Sequence, residues 1–129
     1  MKQVYLKIGK KNEWAVIVCY DFSLLDFDDM AAIMDTFGLS KKNINKALRI
    51  LSNYNTGMAI SRDDIKMSVV FVSKTTSPDE FWSTLNHELY HCCTAIIDYY
   101  GEPYDKEPAA YLQGELMRQA VLEIAEPCR

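Results

Sequence analysis

The chain is poor in histidine, with two residues, His87 and His91, in 129. It also lacks long apolar runs, blocks of like charge, internal repeats and low-complexity tracts. Each absence excludes something. A membrane helix needs about 18 or more consecutive apolar residues, and no stretch approaches that. The N-terminus, Met1 to Lys7, alternates like a strand and has no continuous apolar core of a signal peptide. These features lead to the expectation of a cytoplasmic protein with no membrane partner. Lys and Arg reach only pairs, Lys10-Lys11 and Lys41-Lys42, and the formal net charge is −4 with a pI near 5.1. No nucleic-acid partner is expected from that balance. The four cysteines (Cys19, Cys92, Cys93 and Cys128) include no CxxC pair, and the adjacent two do not bridge easily. Free thiols, two or three of them buried, are expected.

What is present describes an ordinary globular domain. Apolar residues make up 49% and charged residues 25%, and the length suits one domain, 1–129, with a core that needs no staples. Residues 3–8 alternate, and Trp14 to Tyr20 is a continuous apolar run of the kind found in buried strands. Gly9 to Asn12 reads as the turn between them. A helix is expected at 26–37, with Phe27, Met30, Ala31, Ile33, Met34 and Phe37 inward and Gly38 at its end. Ser40 caps a second helix carrying Ile44, Ala47, Leu48 and Leu51, which Asn53 to Gly57 breaks. Met58 to Ser61 and Ile65 to Ser73 read as strands, joined by the polar Arg62-Asp63-Asp64 as a hairpin. Phe, Trp and Tyr (12% of the chain) fall mostly on apolar faces and read as core, as do the six methionines.

The sharpest start signal is Ser77-Pro78-Asp79-Glu80: an N-cap serine, proline at the first helical position and a glutamate placed for a capping box. The helix it opens runs to Tyr99 or Tyr100, where Gly101 and Pro103 stop it. A last helix runs from about Asp105–Pro108 to Ala125. Strands and helices in this order predict an α+β domain with a mainly antiparallel sheet.

Asn86-His87-Glu88-Leu89-Tyr90-His91 contains HExxH, well inside the capped helix. Residues i and i+4 lie one turn apart on one face, so both imidazoles can reach one tetrahedral zinc ion. Glu88, about 100° round the helix from His87, is placed to accept a proton from a water on that ion. Chance supplies HExxH in roughly one chain of this length in a few hundred. Two facts add weight. The chain has no other histidine, and the helix presents both on a polar stripe. Phe81, Trp82, Leu85, Leu89, Cys92, Cys93, Ile96, Tyr99 and Tyr100 cluster on one side, with Thr84, His87, His91, Thr94 and Asp98 opposite.

A third ligand must be a carboxylate or a cysteine. Asp98 lies about 10 Å further along the same helix than His91. The last helix offers Glu107 and Glu115, with Asp105 just before it. Glu107 shares a face with Ala110 and Gly114, small residues that would let two helices approach closely. If the two helices ran strictly antiparallel, however, residues 111–115 would be level with His91. Tyr104 and Tyr111 are candidates, from position alone, for stabilising an oxyanion.

The segment Thr75 to His91, followed by Glu107-Pro108-Ala109-Ala110-Tyr111-Leu112-Gln113-Gly114, resembles the small zincin-like metallopeptidases of phages, prophages and Bacteroides-group bacteria. The resemblance covers residues 56–120. It implies a zincin fold, with an active-site helix packed under a twisted sheet and an edge strand that lies alongside an extended peptide. The strand at 65–73 is expected at that edge. It also implies His87, His91 and Glu107 as zinc ligands, Glu88 as general base, and a peptide or protein substrate. Thr94 stands where some zincins carry glycine, so no turn of the chain is expected there, and Tyr111 stands in the Asp place of the ExxxD pattern of other zincins, so no partner is assigned to orient a histidine. The alternative is a zinc-binding interaction domain without turnover, serving a phage or mobile element.

Overall fold

The structure is a computed structural model describing residues 1–8, 13–101 and 107–124, with only the backbone of Glu107 and Pro108. The expected turn at Gly9 to Asn12 lies outside the described residues, as do Tyr104, Asp105 and Cys128. The elements are β1 (Lys2–Ile8), β2 (Trp14–Tyr20), α1 (Phe27–Thr36), α2 (Lys41–Leu51), β3 (Gly57–Arg62), β4 (Met67–Val72), α3 (Pro78–Tyr100) and α4 (Glu107–Glu123), with a 3-10 turn at Leu24–Asp26 before α1. This is a mixed α+β fold with one four-stranded sheet, in the order β1-β2-β4-β3. Among the described residues no helix is long and apolar enough to cross a membrane.

β1 pairs with β2, and β3 with β4, antiparallel, while the central pair β2–β4 is parallel. The expectation of a mainly antiparallel sheet is met at both flanks and departs at the centre. Two successive helices separate β2 from the β3–β4 hairpin, and the hairpin docks through its second strand. The strand at 65–73 therefore does not lie at the edge. Its ordered part, β4, is central, with Ser68, Val69, Val70, Phe71 and Val72 all buried. The edge strand is β3. Ile65 falls in the hairpin turn, where Lys66 takes a left-handed backbone (φ 51°).

A strand buried on both faces favours apolar residues on both, which is why Trp14 to Tyr20 and Val69 to Val72 read as continuous apolar runs, with buried Ser68 accepting from Trp14 Nε1 at 3.0 Å. Val16, Val18, Val70 and Val72 turn to one face, against Phe81, Leu85, Leu89 and Ile96 of α3 and Leu116 and Ala120 of α4. Cys19, Val69 and Phe71 turn to the other, against Met30 and Met34 of α1 and Ile44, Ala47 and Leu51 of α2. Each such side chain, fully buried, contributes about 1.5–3 kcal/mol. The sheet is thus covered by α3 and α4 on one face and by α1 and α2 on the other.

The start of α3 follows its signal. Ser77 Oγ accepts from the Glu80 N–H at 3.2 Å, Pro78 opens the helix, and Gly101 ends it in the left-handed region at φ 71°. The reciprocal capping box forms elsewhere, between Ser23 and Asp26 ahead of α1. Aromatic placement divides by type. Trp14, Phe22, Phe37, Phe71 and Phe81 are buried, but Tyr5, Tyr54, Tyr90, Tyr99 and Tyr111 are exposed. The core reading holds for these Phe and Trp residues and fails for most Tyr, whose hydroxyl favours the wet side of an apolar face.

Candidate metal centre

α3 brings the HExxH residues together on the side facing β3. His87 Nε2 and His91 Nε2 are 3.3 Å apart, and the two rings meet nearly edge to face at 77°. Both histidines are exposed, whereas Glu88 is only 6% exposed. The three side chains offer ligand atoms within 4.8 Å of one another.

The donor set fits a metal ion. Two imidazole nitrogens held at about 2.0–2.1 Å on one tetrahedral ion lie about 3.3–3.4 Å apart, and the observed spacing is 3.3 Å. Such N and O donors suit several divalent transition metals, zinc among them. Among the described residues, no hydrogen bond links an Nδ1 of either ring to a partner, so the orienting contact usual for ligating histidines is not seen here.

Glu88 lies in the buried face of α3, between Leu85 and Cys92. Burial pushes its carboxyl above the ordinary range, and the charges of His87 and His91 pull the other way. Among the described residues it has no hydrogen-bond partner, yet no buried side-chain oxygen is left unsatisfied. Its free oxygens therefore reach solvent through the small part of the residue that is open, on the histidine side of the helix. A carboxylate half-withdrawn from water, with its basicity raised, is a better proton acceptor than one in open water.

What covers Glu88 is the backbone of the edge strand. A Cβ built on Gly57 would lie 2.7 Å from Glu88 Cγ, 2.9 Å from Thr84 Cγ2 and 3.1 Å from Glu88 Oε2. Gly57 is absent from the positive-φ positions, so this glycine serves close approach, not backbone freedom. Sequence reading took it only as part of a helix-breaking segment. A glycine opening a strand with no turn to make was the available signal.

α4 is fixed against the same helix by Gln113, a second residue that sequence reading missed. Its Nε2 donates to the Asn86 carbonyl (3.1 Å) and Oδ1 (2.7 Å), and its Oε1 accepts from Cys93 Sγ (3.2 Å). These bonds set α4 level with the HExxH turn. The face expected to permit close helix approach is different. Ala110 and Gly114 are exposed, and a Cβ on Gly114 would meet nothing within 4 Å. The packed face carries Leu112, Leu116, Met117 and Ala120 instead, because these larger apolar groups gain more from burial than two small ones.

Among the described residues, no further carboxylate or cysteine joins the cluster. Glu115 gives both oxygens to Arg118 and Gln119, and the Arg118 bond is the main reason its carboxyl is held down at about 2. Tyr111 is 74% exposed. The Glu107 side chain, Tyr104 and Asp105 lie outside the described residues. Burial pushes the Cys92 and Cys93 thiols up to about 12 and Cys19 to about 11. These three are free and buried, as expected.

No protein-family model, no curated protein and no solved structure matches this chain.

Proposed function

We propose that this chain is a zinc-dependent peptidase of the zincin type, acting on extended peptide segments. The observation that carries the reading is the pair of imidazole nitrogens at ligand spacing, beside a buried, basic Glu88 that the β3 backbone presses into place. An accidental HExxH on a solvated helix face would not require a glycine contact at its glutamate.

In this reading His87 and His91 hold the ion, and Glu107, the carboxylate that the family resemblance singles out, supplies the third protein ligand. That Glu115 is engaged by Arg118 and Gln119 favours Glu107 over it. Zinc bound there would supply Lewis-acid chemistry, lowering the pKa of a water and polarising the substrate carbonyl. Glu88 takes the proton of the attacking water as its oxygen bonds to the carbonyl carbon. When the C–N bond breaks, Glu88 returns that proton to the leaving amine. β3 aligns the peptide by strand addition at its open edge, a role first expected of the strand at 65–73. The non-catalytic alternative, a zinc-binding interaction domain of a phage or mobile element, does not require the glutamate base.

The test is metal content by elemental mass spectrometry after chelator-free purification, for the native chain and the His87→Ala variant. About one zinc per native chain and none in the variant is the expected result. No zinc in either, with the fold intact and no uptake on addition, would remove the enzyme reading. Peptide cleavage by the native chain but not by Glu88→Gln, with zinc retained in both, separates turnover from mere metal storage.

A further inference from the structure

Beyond the metal cluster, the open edge of β3 borders a second feature. A groove of about 370 Å³ separates β3 from α2 on the sheet face opposite α3, within the usual size range of ligand pockets. Its walls are apolar: Leu39, Ala47 and Ile50 on one side, Met58 and Ile60 on the other. Asn43 and Lys46 form a polar rim, and Ile50 is 44% exposed although its neighbours are apolar.

Gly57 and Ala59 also line this groove. The side of the strand on which they stand faces α3, since Ala59 packs into the α3 core and Gly57 against Glu88. It is therefore their backbone, at the strand edge, that borders the groove. The hydrogen-bond register agrees. Ser73 N–H donates to Thr56 O at 2.9 Å, so Thr56 faces β4. Alternation along an antiparallel ladder then turns Met58, Ile60 and Arg62 to β4, and turns the N–H and C=O of Gly57, Ala59 and Ser61 outward. Among the described residues no strand lies beyond β3 to receive them.

We propose that the groove between α2 and β3 is a subsite for a large apolar side chain of an extended peptide segment seated on the β3 edge. A row of outward amide groups is matched by another peptide backbone. A strand docked there points alternate side chains to opposite faces of the sheet. One set enters the groove, and the residues between face α3, where Gly57 meets Glu88. The groove thus selects which peptides can present a bond to the metal cluster, with Leu39, Ile50 and Met58 as the selecting residues. The inference deepens the peptidase reading and rests on it for the step that follows binding.

The experiment uses zinc-loaded Glu88→Gln, so that binding is read without turnover. It is screened against a positional-scanning library of blocked octapeptides. Ile50→Asp and Asn43→Trp, each added to that background, charge or fill the groove from two exposed positions. Zinc content and circular dichroism establish that each remains folded and loaded. The expected result is enrichment of Leu, Phe or Met over Ser or Asp at one peptide position by about 10-fold or more, lost in both groove variants. No apolar enrichment, or enrichment unchanged in both variants, overturns the proposal. So does a chain dimer that binds no peptide and dissociates in Ile50→Asp, because the occupant is then a second copy. Apolar selection without cleavage by the native chain supports the groove and removes the peptidase reading. Cleavage whose preference ignores Ile50→Asp does the reverse.

Discussion

The two edges of the sheet are treated differently. On β1, Lys2, Gln3, Tyr5 and Lys7 are exposed, and α4 reaches over the strand. Gln119 accepts from the Lys7 N–H at 3.0 Å and donates to the Lys7 carbonyl at 2.8 Å. Charge and a side-chain amide thus blunt that edge against pairing. On β3, the run Gly57-Met58-Ala59-Ile60-Ser61 carries no charge until Arg62, and the outward amides meet an apolar groove. An edge left this open is a liability unless it serves a purpose. It is also the edge that touches Glu88. The edge away from the candidate metal cluster is protected, and the edge beside it is left open.

The largest expected effect tests the β3 side at its chemical end. Glu88→Gln keeps the shape beneath Gly57 but removes the base, so kcat on any cleaved peptide should fall by about 10²–10⁴-fold. Zinc content should stay at the native level. Steady-state kinetics with metal analysis on the same samples checks both. Equal cleavage by the variant would mean that Glu88 is not the base.

Gly57→Ala tests the same edge through packing. Alanine is favoured over glycine in a strand by about 0.5–1 kcal/mol, but here its methyl would crowd Glu88 and Thr84 at under 3 Å. Overpacking of that kind costs about 1–3 kcal/mol, so a net loss of about 1 kcal/mol in urea unfolding is expected. What must move is Glu88, not the histidines, so kcat should drop while zinc affinity holds. A variant as stable and as active as the native chain would show that the close contact carries no function.

The buried thiols give a milder check on the two layers that cover the sheet. With Cys19, Cys92 and Cys93 buried and their thiols pushed up to about 11–12, they stay protonated and inert at pH 8. A maleimide should label at most one of the four cysteines until denaturant is added, as read by intact mass. Rapid labelling of Cys92 or Cys93 would mean that α3 opens from the sheet, and of Cys19 that α1 and α2 do.

What the sequence made legible follows the range of the interactions. α3 was readable from end to end, because Ser77, Pro78 and Gly101 act on their own neighbours and HExxH depends on one helical turn. The strand segments were readable for the same reason, with β4 shorter at both ends than expected. Strand order was not, because it depends on which strand of the β3–β4 hairpin meets β2 across two intervening helices. The misplacement of the strand at 65–73 had a usable sign. Val69 to Val72 is apolar without interruption, as a central strand needs and an edge strand does not. The cluster was legible in His87, Glu88 and His91 but not in Gly57, which reaches Glu88 across 31 positions of sequence. Ala110 and Gly114 misled in the other direction, since small residues fit a tight contact and open solvent equally well.

The smallest effect tests the protected edge. Gln119→Ala removes two hydrogen bonds to Lys7 and one to Glu115. The two to Lys7 are exposed and the one to Glu115 is part-buried, so water can largely replace the lost partner and the cost should be only about 0.5–1.5 kcal/mol. Metal content and peptide preference should not change, because β1 lies at the opposite side of the sheet from β3. The sharper readout is association. With the Lys7 amide and carbonyl uncovered, β1 becomes an edge resembling β3, although Lys2 and Lys7 still repel a second copy. Analytical ultracentrifugation of the variant against the native chain should therefore show little change at physiological salt and more self-association at high salt, where the lysines are screened. If the variant associates equally at both, the amide and not the charge protects β1. If it associates at neither, with the amide removed and the lysines screened, neither device is what keeps β1 from pairing, and the contrast with β3 does not rest on them.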